Sequence, residues 1–132
     1  MIFAGTRPNN LGVRDGRLAP CPPSPNCVSS QASDSIHQIA PLSFTSTSEQ
    51  ALSKLKSIIQ SLPRTKIITE TEDYLYAEFK TALMGFVDDV EFYLDSNAKL
   101  IHVRSASRLG YGDLGVNRQR IETIRALFNK ST

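Results

Sequence analysis

The sequence predicts an α+β domain in the order β-α-β-β-β-β-α. It reads as two layers, a four- to five-stranded antiparallel sheet with two helices on one face. Three observations carry this. Two segments, "STSEQALSKLKSIIQSLPR" and the C-terminal run from Asn117, repeat apolar residues at helical spacing. Four stretches between them alternate apolar and polar residues and are joined by short turns. The first 35 residues follow neither period.

Residues 1–35 are rich in Gly, Pro, Asn and Ser and read as an irregular arm laid over the domain. Ile2, Phe3, Leu11 and Val13 are its candidate anchors. Residues 36–132 then form a single α+β domain. "IAPLSFTS" (39–46) is an expected edge strand, limited by Pro41. In the first helix Ser46 and Glu49 have capping-box spacing, and Leu52, Leu55, Ile58, Ile59 and Leu62 form one stripe before Pro63 ends it. The strands are "TKIITET" (65–71), "YLYAEFKT" (74–81), "FVDDVEFYL" (86–94) and "KLIHVRSAS" (99–107). Glu72-Asp73, Met84-Gly85 and "DSNA" (95–98) supply the turns. The last helix is expected to take Asn117 as its N-cap and to bury Ile121, Ile124, Leu127 and Phe128.

Composition narrows the function. A chain of 132 residues with 40% hydrophobic and 21% charged residues is globular and long enough to bury a core. A net charge of +2, with scattered basic residues, argues against a nucleic-acid partner. "MIFAGTRPNN" reads as neither a signal peptide nor a membrane span, so a cytoplasmic location without a transmembrane segment is expected. Cys21 and Cys27, in "APCPPSPNCVSS", match no zinc or thioredoxin-type spacing. They are a disulfide candidate, and the bond would point to an exported or lumenal protein instead.

Alternation also assigns faces to the strands. Leu75, Ala77 and Phe79, then Val90, Phe92 and Leu94, then Ile101 and Val103 face the helices. Tyr74, Tyr76, Glu78 and Lys80, then Asp89, Glu91 and Tyr93, then His102 and Arg104 face away. Two-residue turns at Met84-Gly85 and Ser96-Asn97 would set two cross-strand rows, Lys80–Asp89–Arg104 and Glu78–Glu91–His102. The second row is unbalanced: facing carboxylates raise one another's pKa, and a histidine beside them shares the proton. Glu78, Glu91 and His102 are therefore the candidate catalytic residues. A metal is not expected there, since no second histidine or ligand-spacing motif accompanies them. Asp88 falls on the helix side, where a turn, a bulge or a hydrogen bond to Ser105 would accommodate it.

The loop "HVRSASRLGYGDLGVNRQR" gathers Arg104, Ser105, Ser107, Arg108, Tyr111, Asp113, Asn117 and Arg118 around three glycines. Glycines admit close backbone approach and a helix start favours anions, so these residues are the candidate ligand-binding set. Arg108 and Arg118 would clamp a carboxylate or phosphate. G-Y-G-D-L-G has dinucleotide-fingerprint spacing but no parallel βαβ unit around it, so no cofactor is expected.

"SPNCVSS", "GFVDDVEF" and "HVRSASRLGYGDLGVNRQRIE" together resemble the family catalogued as domain of unknown function 1499, of bacteria and photosynthetic eukaryotes. The resemblance runs from about Pro20 to Phe128, and "MIFAGTRPNNLGV" is most similar to cyanobacterial members. It implies no reaction, cofactor or catalytic residue, although some relatives look exported, lipid-anchored or plastid-targeted. The expected function is a non-catalytic binding module for a small anionic ligand or a protein partner, using the polar sheet face and loop 104–118. The alternatives are an enzyme using the Glu78/Glu91/His102 row beside an arginine anion site, and a structural accessory subunit.

Overall fold

The computed structural model describes residues 4–82 and 84–130, so Ile2 and Phe3 lie outside the described residues. The elements run β1 (Cys27–Ser29), β2 (Leu42–Ser43), α1 (Ser48–Ser61), β3 (Thr65–Glu70), β4 (Tyr74–Lys80), β5 (Val87–Asp95), β6 (Leu100–Ser107) and α2 (Val116–Lys130). The sheet is antiparallel, with strand order β1-β6-β5-β4-β3 and β2 also paired with β6. The α+β class holds, with six strands among the described residues where four or five were expected. The additional strand is β1, inside the segment read as irregular. Three residues between a Pro-rich loop and a turn show no period, and their pairing of Cys27 with Ala106 is purely tertiary.

Both helices cover one face of the sheet. Leu52, Leu55 and Ile59 of α1 and Ile121, Ile124 and Phe128 of α2 pack on Leu75, Ala77, Phe79, Val90, Phe92, Leu94, Ile101 and Val103. Leu127, expected inside, is exposed at the edge of the α2 stripe. Each helix also starts differently from expectation. The capping box of α1 is Thr47 with Gln50, one residue later than Ser46 with Glu49: Gln50 N donates to Thr47 Oγ1 and Thr47 N to Gln50 Oε1. Asn117 lies inside the first turn of α2, fully buried. The carboxylate of Asp113 accepts from the backbone N–H groups of Gly115 and Asn117 instead.

The strand faces are as the alternation predicts, but both registers are displaced by two residues. Lys80 lies opposite Val87, Glu78 opposite Asp89 and Tyr76 opposite Glu91. On the other side Glu91 lies opposite Arg104 and Tyr93 opposite His102. The cause is the turns. The β4–β5 connection closes at Thr81, whose N–H donates to Phe86 O while its Oγ1 accepts from Phe86 N. At the β5–β6 end Asp95 Oδ1 accepts from Asn97 and Ala98 N, and Lys99 turns through a left-handed φ of 57°. Both loops are therefore longer than two residues. An even slip keeps every side chain on its face, which is why the layers survive and the rows do not.

Candidate functional site beneath the N-terminal arm

The side of an antiparallel sheet away from its helices is ordinarily solvated. Here it is not. Asp89, Glu91 and Arg104 retain 1%, 0% and 4% of their exposure, because the arm lies across them. Gly12 N donates to Glu91 Oε2 at 2.7 Å, Arg7 pairs with Glu78 at 2.6 Å, and Arg104 Nη2 reaches the Pro20 carbonyl at 3.2 Å. At Gly5, φ is 76° and an added Cβ would meet Arg108 Cβ and Leu109 Cγ at 3.2 Å. A side chain there would be both crowded and strained, which glycine avoids. These polar contacts add to the apolar anchoring expected from the arm, of which Leu11 and Val13 are half-buried, while Ile2 and Phe3 lie outside the described residues.

The covered charges form two neighbouring groups, one around Asp89 and Arg108 and one around Glu91 and Arg104. Arg108 grips Asp89 with two donors, Nε to Oδ2 and Nη2 to Oδ1, each at 2.9 Å, and Nη2 also lies 2.6 Å from Glu78 Oε2. Tyr76 donates its hydroxyl to Asp89, and Tyr74 donates to Glu91 Oε2 at 2.6 Å. Burial and these carboxylates push both tyrosine hydroxyls far above their usual pKa, so they remain donors. Arg7, Arg104 and Arg108 balance Glu78, Asp89 and Glu91. Such balance is required, since a buried charge without a partner costs several kcal/mol.

Arg104 is the exception to this saturation. Its Nη1 stands 3.7 Å from Glu91 Oε1, beyond hydrogen-bond range, and both Arg104 Nε and Glu91 Oε1 have no hydrogen-bond partner among the described residues. Burial lowers the guanidinium pKa, with Glu91 and Asp89 opposing that shift. Arg104 borders a cleft of about 420 Å³ between arm and sheet, lined also by Thr6, Asn10, Cys21, Asp89 and Arg108. Cys21 and Cys27 are disulfide-bonded, tying the arm beside this cleft to β1 and through it to β6.

The expected catalytic row is not assembled. Glu78 faces Asp89, Glu91 faces Arg104, and His102 faces Tyr93, with its Nδ1 3.1 Å from the Ser30 hydroxyl. Among the described residues no three acid, histidine or cysteine groups are placed to hold a metal ion. The expected Lys80–Asp89–Arg104 row is likewise absent, for the same register reason. The expected ligand set divides three ways. Arg104 and Arg108 join the arm-covered face. Ser105, Ser107, Asp113 and Asn117 bond to one another on the helix side, where Arg120 also pairs with Asp88 at 2.7 Å, a partner outside the turn, bulge or Ser105 bond expected for Asp88. Arg118 donates to the Ile36 and Gln38 carbonyls, sharing no partner with Arg108, and Tyr111 is exposed. Sequence reading missed the contributions of Arg7, Gly12 and Pro20. The available signal was an arm carrying Arg7 and glycines opposite a strand face with a surplus of acids.

A pH dependence follows from Glu78. Burial alone would raise its pKa, but hydrogen bonds from Arg7 and Arg108 hold it below the usual carboxylate range. The folded value is depressed, so this contribution is complete above the ordinary glutamate pKa of ~4.3 and is lost as pH falls through the folded value. Glu78→Gln is therefore expected to lower stability at pH 6 and to converge with the parent as the pH falls through the depressed folded value, as measured by urea unfolding across the acid range. An unchanged gap at low pH would show that Glu78 acts through shape alone.

A family model described as a protein of unknown function (DUF1499) matches residues 17–128, most of the chain. The chain belongs to this family. The DUF1499 match contains the sheet, α1 and α2 as far as Phe128, and with them Pro20, Glu78, Asp89, Glu91, Arg104 and Arg108. Arg7 and Gly12, which close the arm over the acids, precede the matched DUF1499 span. No curated protein matches the sequence. No helix among the described residues is long and apolar enough to cross a membrane.

Proposed function

We propose that the protein is a binding module that holds a small ligand bearing a carboxylate or similar anionic group in the cleft between arm and sheet. The observation that carries this reading is Arg104. A guanidinium offers five N–H donors, and this one is buried with a single hydrogen bond among the described residues, to Pro20 O. A buried donor without an acceptor is costly, and an anion in the cleft would supply one. Asp89, the acid lining the same cleft, is already saturated by Arg108 and Tyr76, so it presents little free charge to repel the ligand. The Cys21–Cys27 bond is of the kind that persists in oxidising compartments.

The test is titration with acetate, succinate and sulfate at matched ionic strength, following melting temperature and the Arg104 Nε–H and Asn10 amide resonances. At least one anion should stabilise the protein beyond chloride and shift those resonances. Arg104→Lys, which keeps charge but loses the fork, should abolish the effect, and Arg118→Ala should retain it. Equal stabilisation in Arg104→Lys would mean general salt exclusion and would end the proposal. If Arg104→Lys does not fold, an unmoved Nε–H resonance in the parent decides against it.

A further inference from the structure

We infer that the ligand proposed for the arm-covered cleft is a small α-amino acid with an uncharged side chain, an assignment that rests on that reading. Among the described residues two buried side-chain atoms have no hydrogen-bond partner, and they are of opposite kinds. Arg104 Nε is a donor and Glu91 Oε1 an acceptor. The sheet sets them side by side. Glu91 lies opposite Arg104 across β5 and β6, and its Oε1 stands 3.7 Å from Nη1 of the same rigid guanidinium plane. Glu91 Oε2 is taken by Gly12 N and the Tyr74 hydroxyl, which leaves Oε1 as the free oxygen beside Arg104.

A plain carboxylate satisfies half of this arrangement. Taken up by Arg104 Nε, it would bring a second negative charge beside Glu91 Oε1 and be repelled. A ligand with an N–H donor next to its carboxylate satisfies both atoms, and an ammonium donor also matches the charge of Glu91. An α-amino acid holds those two groups on one carbon, close enough to serve two atoms of a single ion pair. Its side chain meets no spare charge. Asp89 is held by Arg108 and Tyr76, Arg108 is shared with Glu78, and the rest of the cleft wall is uncharged, including Pro8, Pro22 and Ala106. Neither orphan atom is open to solvent, so the arm must yield as the ligand enters, and the Gly12 N–H on Glu91 reports that movement.

Titration of the parent with glycine, alanine, acetate and methylammonium at pH 7 and matched ionic strength tests this, with the Gly12 amide and Arg104 Nε–H resonances followed by NMR. Glycine and alanine should bind about 10-fold more tightly than acetate or methylammonium and shift both resonances. Glu91→Gln should reverse the preference. Its amide oxygen must accept from Gly12 and Tyr74, which leaves the NH₂ group as a donor at the orphan position, so acetate should then bind more tightly than glycine. A variant that still prefers glycine would overturn the inference; if the variant does not fold, the four probes on the parent decide. Acetate equal to glycine in the parent would end the inference and leave the anion cleft standing, a water then bridging the two atoms. Methylammonium equal to glycine would also end it, since Glu91 would be acting alone on a cation. Unmoved resonances with all four probes would overturn it as well, and the cleft itself would then be decided by succinate and sulfate.

Discussion

Phe92→Ala is expected to destabilise the protein by about 3–5 kcal/mol, the range for deleting a buried aromatic ring. Phe92 is fully buried in β5, flanked by β4 and β6, and faces both helices. Its neighbours are held by backbone pairing on two sides, so the space left by the ring cannot collapse. Urea unfolding with an unchanged m-value is the measurement. A loss below about 1 kcal/mol would mean that the helix layer can repack against the sheet, contrary to the interlocked core described here.

Asp89→Ala should cost about 3 kcal/mol by a different mechanism. No cavity of comparable size forms. Instead the Arg108 guanidinium loses both arms of its grip, and the buried Tyr76 hydroxyl loses its carboxylate. Glu78 remains beside Arg108, which keeps the cost at the lower end of the range for a broken buried pair. Adding Arg108→Met to Asp89→Leu should recover much of the loss, because a volume-matched apolar pair leaves no charge stranded. A double-mutant cycle reads this directly. Strictly additive losses would show that Arg108 and Asp89 act independently.

Much of the fold was legible because face assignment depends on period alone. Val90, Phe92 and Leu94 alternate with Asp89, Glu91 and Tyr93, and no turn length changes which set meets the helices. Register depends on turn length, and a glycine such as Gly85 fits loops of more than one size. The expected Glu78–Glu91 opposition failed for that reason. The burial of the polar face was illegible for another. Gly12 meets Glu91 and Pro20 meets Arg104 across some 80 intervening residues, contacts that follow no local period. The disulfide was legible as a possibility, since two cysteines flanking a short Pro-rich loop need only an oxidant to join.

β5 is read from both sides in two chemical alphabets. One set of alternate positions must fill volume against helices; the other must keep a charge count against arginines and the arm. A substitution offends one requirement at a time. Loss or gain of a single residue within the strand offends both together, sending Asp89 and Glu91 into the hydrocarbon layer and Phe92 and Leu94 beneath the arm. Length change is readily absorbed in most surface loops of a domain. In this strand it is the error against which neither face has a reserve, so variation in the family should enter β5 as exchanges of residues and hardly ever as insertions or deletions.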